Sequence, residues 1–152
     1  MNITPHSNTV PSMTEKQLAI AVEAEEYVSS LPQIDITTWH LLHGGIYSRT
    51  IVLEPGQIIV GAVIIVPTTI VIHGNLTLYT GGDVIDIEGT QVLAASVGRK
   101  QVMHATERTS LTMSFVTDAT TVEEAENEFT TEPEKLMSRL EESINFVNIT
   151  GE

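Results

Sequence analysis

Five histidines, His6, His40, His43, His73 and His104, are the side chains best suited to holding a transition metal. A zinc or iron site needs three or four nitrogen or oxygen ligands converging on one point. His40 and His43 have a spacing that converges on a helix or a turn, but on a flat strand residues three apart face opposite sides. His73 alternates with Val71 just before Gly74-Asn75 and reads as a strand-end side chain. Asp83, Asp86 and Glu88 supply carboxylates, and Asp86 and Glu88 share one face of a strand. Such a pair suits a hard cation or an acid and base, and equally the outward face of a strand holding Val84, Ile85 and Ile87. The chain has no Gly-x-Ser-x-Gly elbow and no GxxxxGK(S/T) phosphate loop. Its most localised positive charge is Arg99-Lys100, directly after Gly98, with Arg49 and Arg108 elsewhere in the same region. A basic pair on a tight loop grips a phosphate or carboxylate, the arginine with two prongs, and Tyr47 or Tyr79 adds a stacking surface.

The elements that must position these groups fall into three zones. Residues 1–12, with Pro5 and Pro11 among Asn, Ser and Thr, read as an extended arm. Thr14 with Gln17 has capping-box spacing, which predicts a helix within 13–32, closed by Ser29, Ser30 and Pro32. Leu18, Ala21, Val22, Glu25 and Val28 form one stripe, broken by Glu25, while Ile20, Ala24, Tyr27 and Leu31 form a second apolar row. Residues 38–117 change to short runs rich in Val, Ile and Thr between glycine-containing turns, the pattern of an all-β sandwich or barrel. Strands are expected near 46–54, 57–66, 69–73, 76–80, 84–88, 90–95, 101–105 and 109–117, with turns at Gly74-Asn75, Gly81-Gly82-Asp83 and Gly89 among others. So many short strands suit a jelly roll. Residues 118–152 return to a helical period, with a capping pair at Thr121 and Glu124 and a last short helix starting at Thr131, Pro133 and Glu134.

At 152 residues the chain fits one domain with a single core. Without cysteine it has no disulfide, thiolate metal site or cysteine nucleophile. A formal charge of -13 disfavours nucleic acid and anionic membranes as partners. The acids concentrate in 118–152, leaving a nearly neutral centre. No apolar run is long enough to span a membrane, and MNITPHSNTV has neither a basic n-region nor an apolar h-region, so secretion by a signal peptide is not expected.

The run from Gly44 to Phe115 resembles the cupin family and, more narrowly, small cupin-like proteins of tailed bacteriophages and prophages. The resemblance rests on Pro55-Gly56 before a strand, Gly74 in the mid-barrel hairpin, Gly89 before a strand, the Ser96 to Gln101 segment and the TTVEEAENEFTTEPEKL tail. It implies a mainly β fold, a cupin-like jelly-roll barrel with an N-terminal helix and short C-terminal helices. The family's first motif carries His-x-His and Glu between two glycines; if those are Gly56 and Gly74, the matching residues 61–67 hold no metal ligand. The position of the family's later histidine falls near Gln101, with His104 out of register. The resemblance therefore implies a barrel without a metal cofactor, filled by apolar side chains unless Tyr47, His73, Gln101 and His104 converge at its mouth.

Three functions follow as expectations. The first is a non-enzymatic, phage-encoded homo-oligomer, present in the host cytoplasm during infection and associated with other phage structural proteins or the virion. Its arm at 1–12 would be ordered by a neighbour, and the ten Val or Ile among residues 58–72 would need cover on both faces. The second is a binder that sequesters an anionic metabolite or nucleotide signal through Tyr47, Arg49, His73, Arg99, Lys100, Gln101 and His104. The third is a metal-dependent cupin enzyme with ligands relocated to His40, His43, His73 or His104.

Overall fold

A computed structural model describes residues 1–80 and 82–152. Gly81, part of the expected Gly81-Gly82-Asp83 turn, lies outside them. The elements in chain order are β1 (Thr9–Val10), α1 (Glu15–Ser29), β2 (Thr38–His43), β3 (Ile46–Leu53), β4 (Ile58–Val60), β5 (Thr68–Tyr79), β6 (Val84–Ala95), β7 (Val102–Ala105), β8 (Thr109–Val116), α2 (Val122–Phe129) and β9 (Asn145–Ile149).

All the strands belong to one sheet in the order β1-β6-β5-β8-β3-β2-β9, with β7 joining β5 to β4. The hairpin of β5 and β6 is its spine. The first half of β5 pairs with β8, from Thr69↔Ser114 to His73↔Ser110, and the second half pairs with β7, from Leu76↔Ala105 to Tyr79↔Val102. The switch between partners lies at Gly74, which faces Gly89 across the hairpin. Both glycines have positive φ, +143° and +71°, where a side chain is rarely tolerated. The hairpin therefore bends there and divides the sheet into two arms. Ile70 and Ile72 from one side of the bend share a buried cluster with Leu76, Leu78, Ile87 and Met103 from the other. The arms thus enclose a common interior, giving the mainly β, jelly-roll-like barrel that the alternating runs predict.

Several boundaries differ from the sequence reading. The runs expected at 69–73 and 76–80 are one strand, as are those at 84–88 and 90–95, because the glycines bend the ladder without breaking it. The strand expected at 57–66 stops at Val60. Beyond it Gly61 N–H donates to Gln101 O (2.9 Å) and Ile64 N–H to Arg99 O (2.9 Å), so 61–67 runs as an irregular wall against the 98–101 segment. β2 and β9 are not among the expected strands. β9 lies parallel to β2 at the end of the sheet, and Phe146 stacks on Trp39 with ring centres 5.9 Å apart. The acidic tail is helical only over α2; the helix expected from Thr131 is two single 3-10 turns, Pro133–Lys135 and Met137–Arg139.

Part of the arm, residues 8–12, is held by its own chain. β1 runs parallel to the end of β6, Ala94 N–H donates to Asn8 O and Ser96 N–H to Val10 O, both at 2.9 Å, and Val10 is buried. α1 opens on the predicted capping box, in which Gln17 N–H donates to Thr14 Oγ1 and Thr14 N–H to Gln17 Oε1. It turns Leu18, Ala21, Ala24, Glu25 and Val28 inward, leaving Ile20, Tyr27 and Leu31 exposed.

Candidate functional site

The barrel interior holds two apolar clusters, one around Leu53, Ile72 and Leu76, the other around Tyr47, Phe115 and Phe129. Between them lies a cavity of about 140 Å³, bounded by members of both. β3, β5, β7 and β8 contribute Ile51, Ile70, Met103, Leu111 and Met113, and α2 adds Phe129. The tail closes it with Leu136 and Met137, and the irregular wall adds Gly61, Ala62 and Ile64.

Two polar side chains set into this apolar lining come from the 98–101 segment. Gly98, at φ +73°, turns the chain into it, and its N–H donates to Ile64 O (2.7 Å). Residues two apart in such an extended run point the same way. Arg99 and Gln101 both line the cavity, whereas Lys100 turns to α1, where its Nζ lies 2.5 Å from Glu25 and also donates to Gly61 O (3.0 Å). Glu25, which breaks the apolar stripe of α1 in the sequence, faces inward because it neutralises Lys100. At the same rim Glu132 lies 4.0 Å from Lys100 and 3.0 Å from Lys135.

Arg99 has no such compensation. It is 1% exposed, with Nη1 donating to Ser96 O (2.6 Å) and Nη2 to Thr68 Oγ1, and no carboxylate among the described residues lies within ion-pair distance. Its Nε and the Nε2 of Gln101, itself 7% exposed, are buried without a hydrogen-bond partner. Burial pushes the Arg99 guanidinium down to about 10, so it remains charged at neutral pH.

Arg49 also lines the cavity, but its charge is taken up by the chain. Nη1 donates to Glu126 (2.8 Å), Nη2 to Ser138 Oγ (3.0 Å), and the guanidinium sits 5.7 Å from the Phe129 ring centre. Glu126 also accepts from Arg139 Nε (3.0 Å) and from Ser138 Oγ. Burial alone would raise the Glu126 carboxyl, but hydrogen bonds from Ser138 and Arg139 and the charge of Arg49 outweigh it and hold the group below its ordinary 4.5.

The remaining predicted ligands lie elsewhere. Tyr47 is fully buried beside the cavity and does not line it; its hydroxyl bonds His40 Nδ1 (2.7 Å), and burial pushes it up to about 12. His40 Nε2 contacts Asn145 Oδ1 (2.7 Å), an acceptor, so Nε2 carries the proton and Nδ1 accepts from Tyr47. Burial lowers the His40 pKa below 6.5, which keeps the ring neutral. His73 and His104 do not reach the interior, because Ile72 and Met103 are the inward residues of their strands; His73 bonds Thr90 on the outside. His43 bonds Thr150 on the face opposite His40. Among the described residues no three His, Asp or Glu side chains form a metal-binding group. The wall at 61–67 likewise offers none, so the residues present do not fit the metal of the cupin motif.

No family model matches the chain, and no curated protein is found similar to it. Solved cupin-domain structures are similar to it. A cupin superfamily protein from Desulfitobacterium hafniense is 12% identical with a TM-score of 0.47, covering 75% of this chain and 100% of its own. A cupin-2 domain protein from Shewanella frigidimarina is 9% identical with a TM-score of 0.45, covering 66% and 98%. The cupin domain of Schizosaccharomyces pombe Cnp3 is 12% identical with a TM-score of 0.46, covering 60% and 72%. The mainly β architecture stands on the strand pairing and shared interior described above.

Sequence reasoning found Arg49, Arg99 and Gln101 but not the groups that complete the site. Phe129, Leu136 and Met137 come from the acidic tail, which the sequence reading placed in helices without showing what they cover. Glu126 carried no signal, since it is one of ten acids in residues 118–152.

Proposed function

We propose that the protein is a small-molecule-binding β-barrel whose ligand occupies the cavity between the two core clusters. The observation that carries this is an apolar space walled by Ile51, Ile70, Leu111 and Met113 that also receives a buried arginine short of partners. A buried polar group without a partner costs about 1–3 kcal/mol, more when charged, so a ligand that supplies the partner recovers that cost on binding. At about 140 Å³ the space is close to the dry cavity of about 150 Å³ that takes up benzene in an engineered protein. That size narrows the anionic-metabolite reading to small molecules and leaves out nucleotides.

Thermal unfolding in the presence of benzene and short-chain aliphatic acids, amides and alcohols tests the reading. A probe at a hundred times its Kd stabilises the fold by about 2.7 kcal/mol. Ile51→Phe, which fills the space, is expected to retain the fold and lose this stabilisation. If no probe in the panel shifts the wild-type melt, the reading fails.

A second reading, the self-associating structural protein of a phage, is favoured in its assembly part by one surface. β9 ends the sheet with all five residues exposed; Phe146 continues the outer apolar face of Trp39 and Leu41, while Val147 and Ile149 lie beside His40 and Leu42 on the other face. An edge strand of this kind is a template for pairing. Light scattering is expected to return a mass above the 16.6 kDa chain, and Phe146→Lys to reduce it. A wild-type mass of one chain overturns this second reading.

A further inference from the structure

We infer that the ligand of this cavity is a short-chain aliphatic monocarboxylate, its carboxylate held by Arg99 and Gln101 and its hydrocarbon tail by the isoleucine, leucine and methionine walls. The inference rests on the cavity being a ligand site, and it specifies the chemistry of the ligand. Three observations lead to it. Both unpartnered groups, Arg99 Nε and Gln101 Nε2, are hydrogen-bond donors, so the missing partner is an acceptor. They lie two residues apart on one face of the 98–101 segment, which suits the two oxygens of a single carboxylate.

The second observation is charge. Arg49, Lys100 and Lys135 are each paired with Glu126, Glu25 or Glu132, which leaves Arg99 as the one cation of the lining without a counter-charge among the described residues. One uncompensated positive charge in an apolar enclosure calls for one negative charge. A phosphate dianion would bring an excess, and Glu25 and Glu132 at the same cavity would repel it. The third is the lining itself. Ile51, Ile70, Leu111, Met103 and Met113 are apolar and Thr38 adds a single hydroxyl, while the volume holds about as many atoms as benzene, which favours a singly charged acid with a hydrocarbon tail. Methionine side chains adapt to the shape of a branched tail.

Calorimetry on the full chain at neutral pH, with isovalerate, isovaleramide and 3-methylbutan-1-ol as probes of one carbon skeleton, tests this. Isovalerate is expected to bind about ten-fold or more tightly than the alcohol, since hydrogen bonds to a charged group are worth that much. Gln101→Leu should weaken isovalerate several-fold and leave the alcohol unchanged. Arg99→Met should abolish the preference for the acid, and if that variant does not fold, the Gln101→Leu result carries the test. Equal binding of acid and alcohol, or tightest binding of the amide, overturns the carboxylate assignment while leaving the cavity a ligand site. Binding of benzene alone has the same meaning. Failure of every probe, benzene included, overturns both.

Discussion

Glu126→Ala is expected to cost about 3–5 kcal/mol of folding stability, the usual result of removing one partner from a buried ion pair. The Glu126 side chain is 4% exposed and receives Arg49 from the barrel, Arg139 from the tail and the Ser138 hydroxyl. Removing it leaves Arg49, 13% exposed, as a second uncompensated cation at the cavity and unties the tail that carries Leu136 and Met137 over it. The loss also depends on pH with a defined sign. A carboxyl held below its unfolded value contributes stability that is complete above about 4.5 and is lost as pH falls through its folded value. Urea unfolding at neutral pH and again below pH 4 is therefore expected to show the variant's deficit shrinking in acid. A deficit under about 1 kcal/mol at neutral pH would mean that the pair is solvated and does not hold the tail.

Gly74→Ala is expected to cost about 3 kcal/mol or more, combining backbone strain with overpacking. A methyl group at this position would meet Thr109 Oγ1 and come within 2.7 Å of Arg108 O and of Thr109 Cα. None of these can retreat cheaply. Thr109 is fully buried, and its hydroxyl accepts from Asn75 N–H (3.1 Å) at the point where β5 exchanges β8 for β7. Gly89, its partner across the hairpin, also has positive φ, but a methyl there meets nothing within 4 Å. Gly89→Ala should accordingly cost only the strain and melt well above Gly74→Ala. Equal melting temperatures for the two variants would remove close packing at Gly74 as the origin of the bend.

These two residues also mark where the sequence was legible and where it was not. Alternation in Leu111, Met113 and Phe115 identifies the inward face of β8 because a strand buried on one side has period two. The Thr14 and Gln17 box sets the start of α1 because capping is local. Thr121 caps α2 as its spacing predicts, although the Glu124 side chain turns to Thr120 N–H instead of closing the box. Glycines at 74 and 89 read as strand ends because a glycine that stops a strand and one that bends it look alike until their pairing is known. Phe146-Val147-Asn148-Ile149 has the composition of a strand, but its partner β2 lies over a hundred residues earlier, and the segment 118–152 as a whole reads as helical. The site shows the same division. Arg99 and Gln101 stand out as polar residues in an apolar region, whereas what compensates each charge depends on contacts between distant segments, Lys100 with Glu25 and Arg49 with Glu126.

The chain carries its own reporters for the central claim that the cavity receives a ligand. Of its five methionines, Met103, Met113 and Met137 line the cavity, while Met1 is exposed at the chain end. In protein labelled with carbon-13 at the methionine methyls, titration with isovalerate is expected to shift the signals of Met103, Met113 and Met137 saturably and to leave Met1 in place. If those three signals stay fixed at millimolar isovalerate and with benzene as well, or all five drift together without saturation, the cavity is not a binding site.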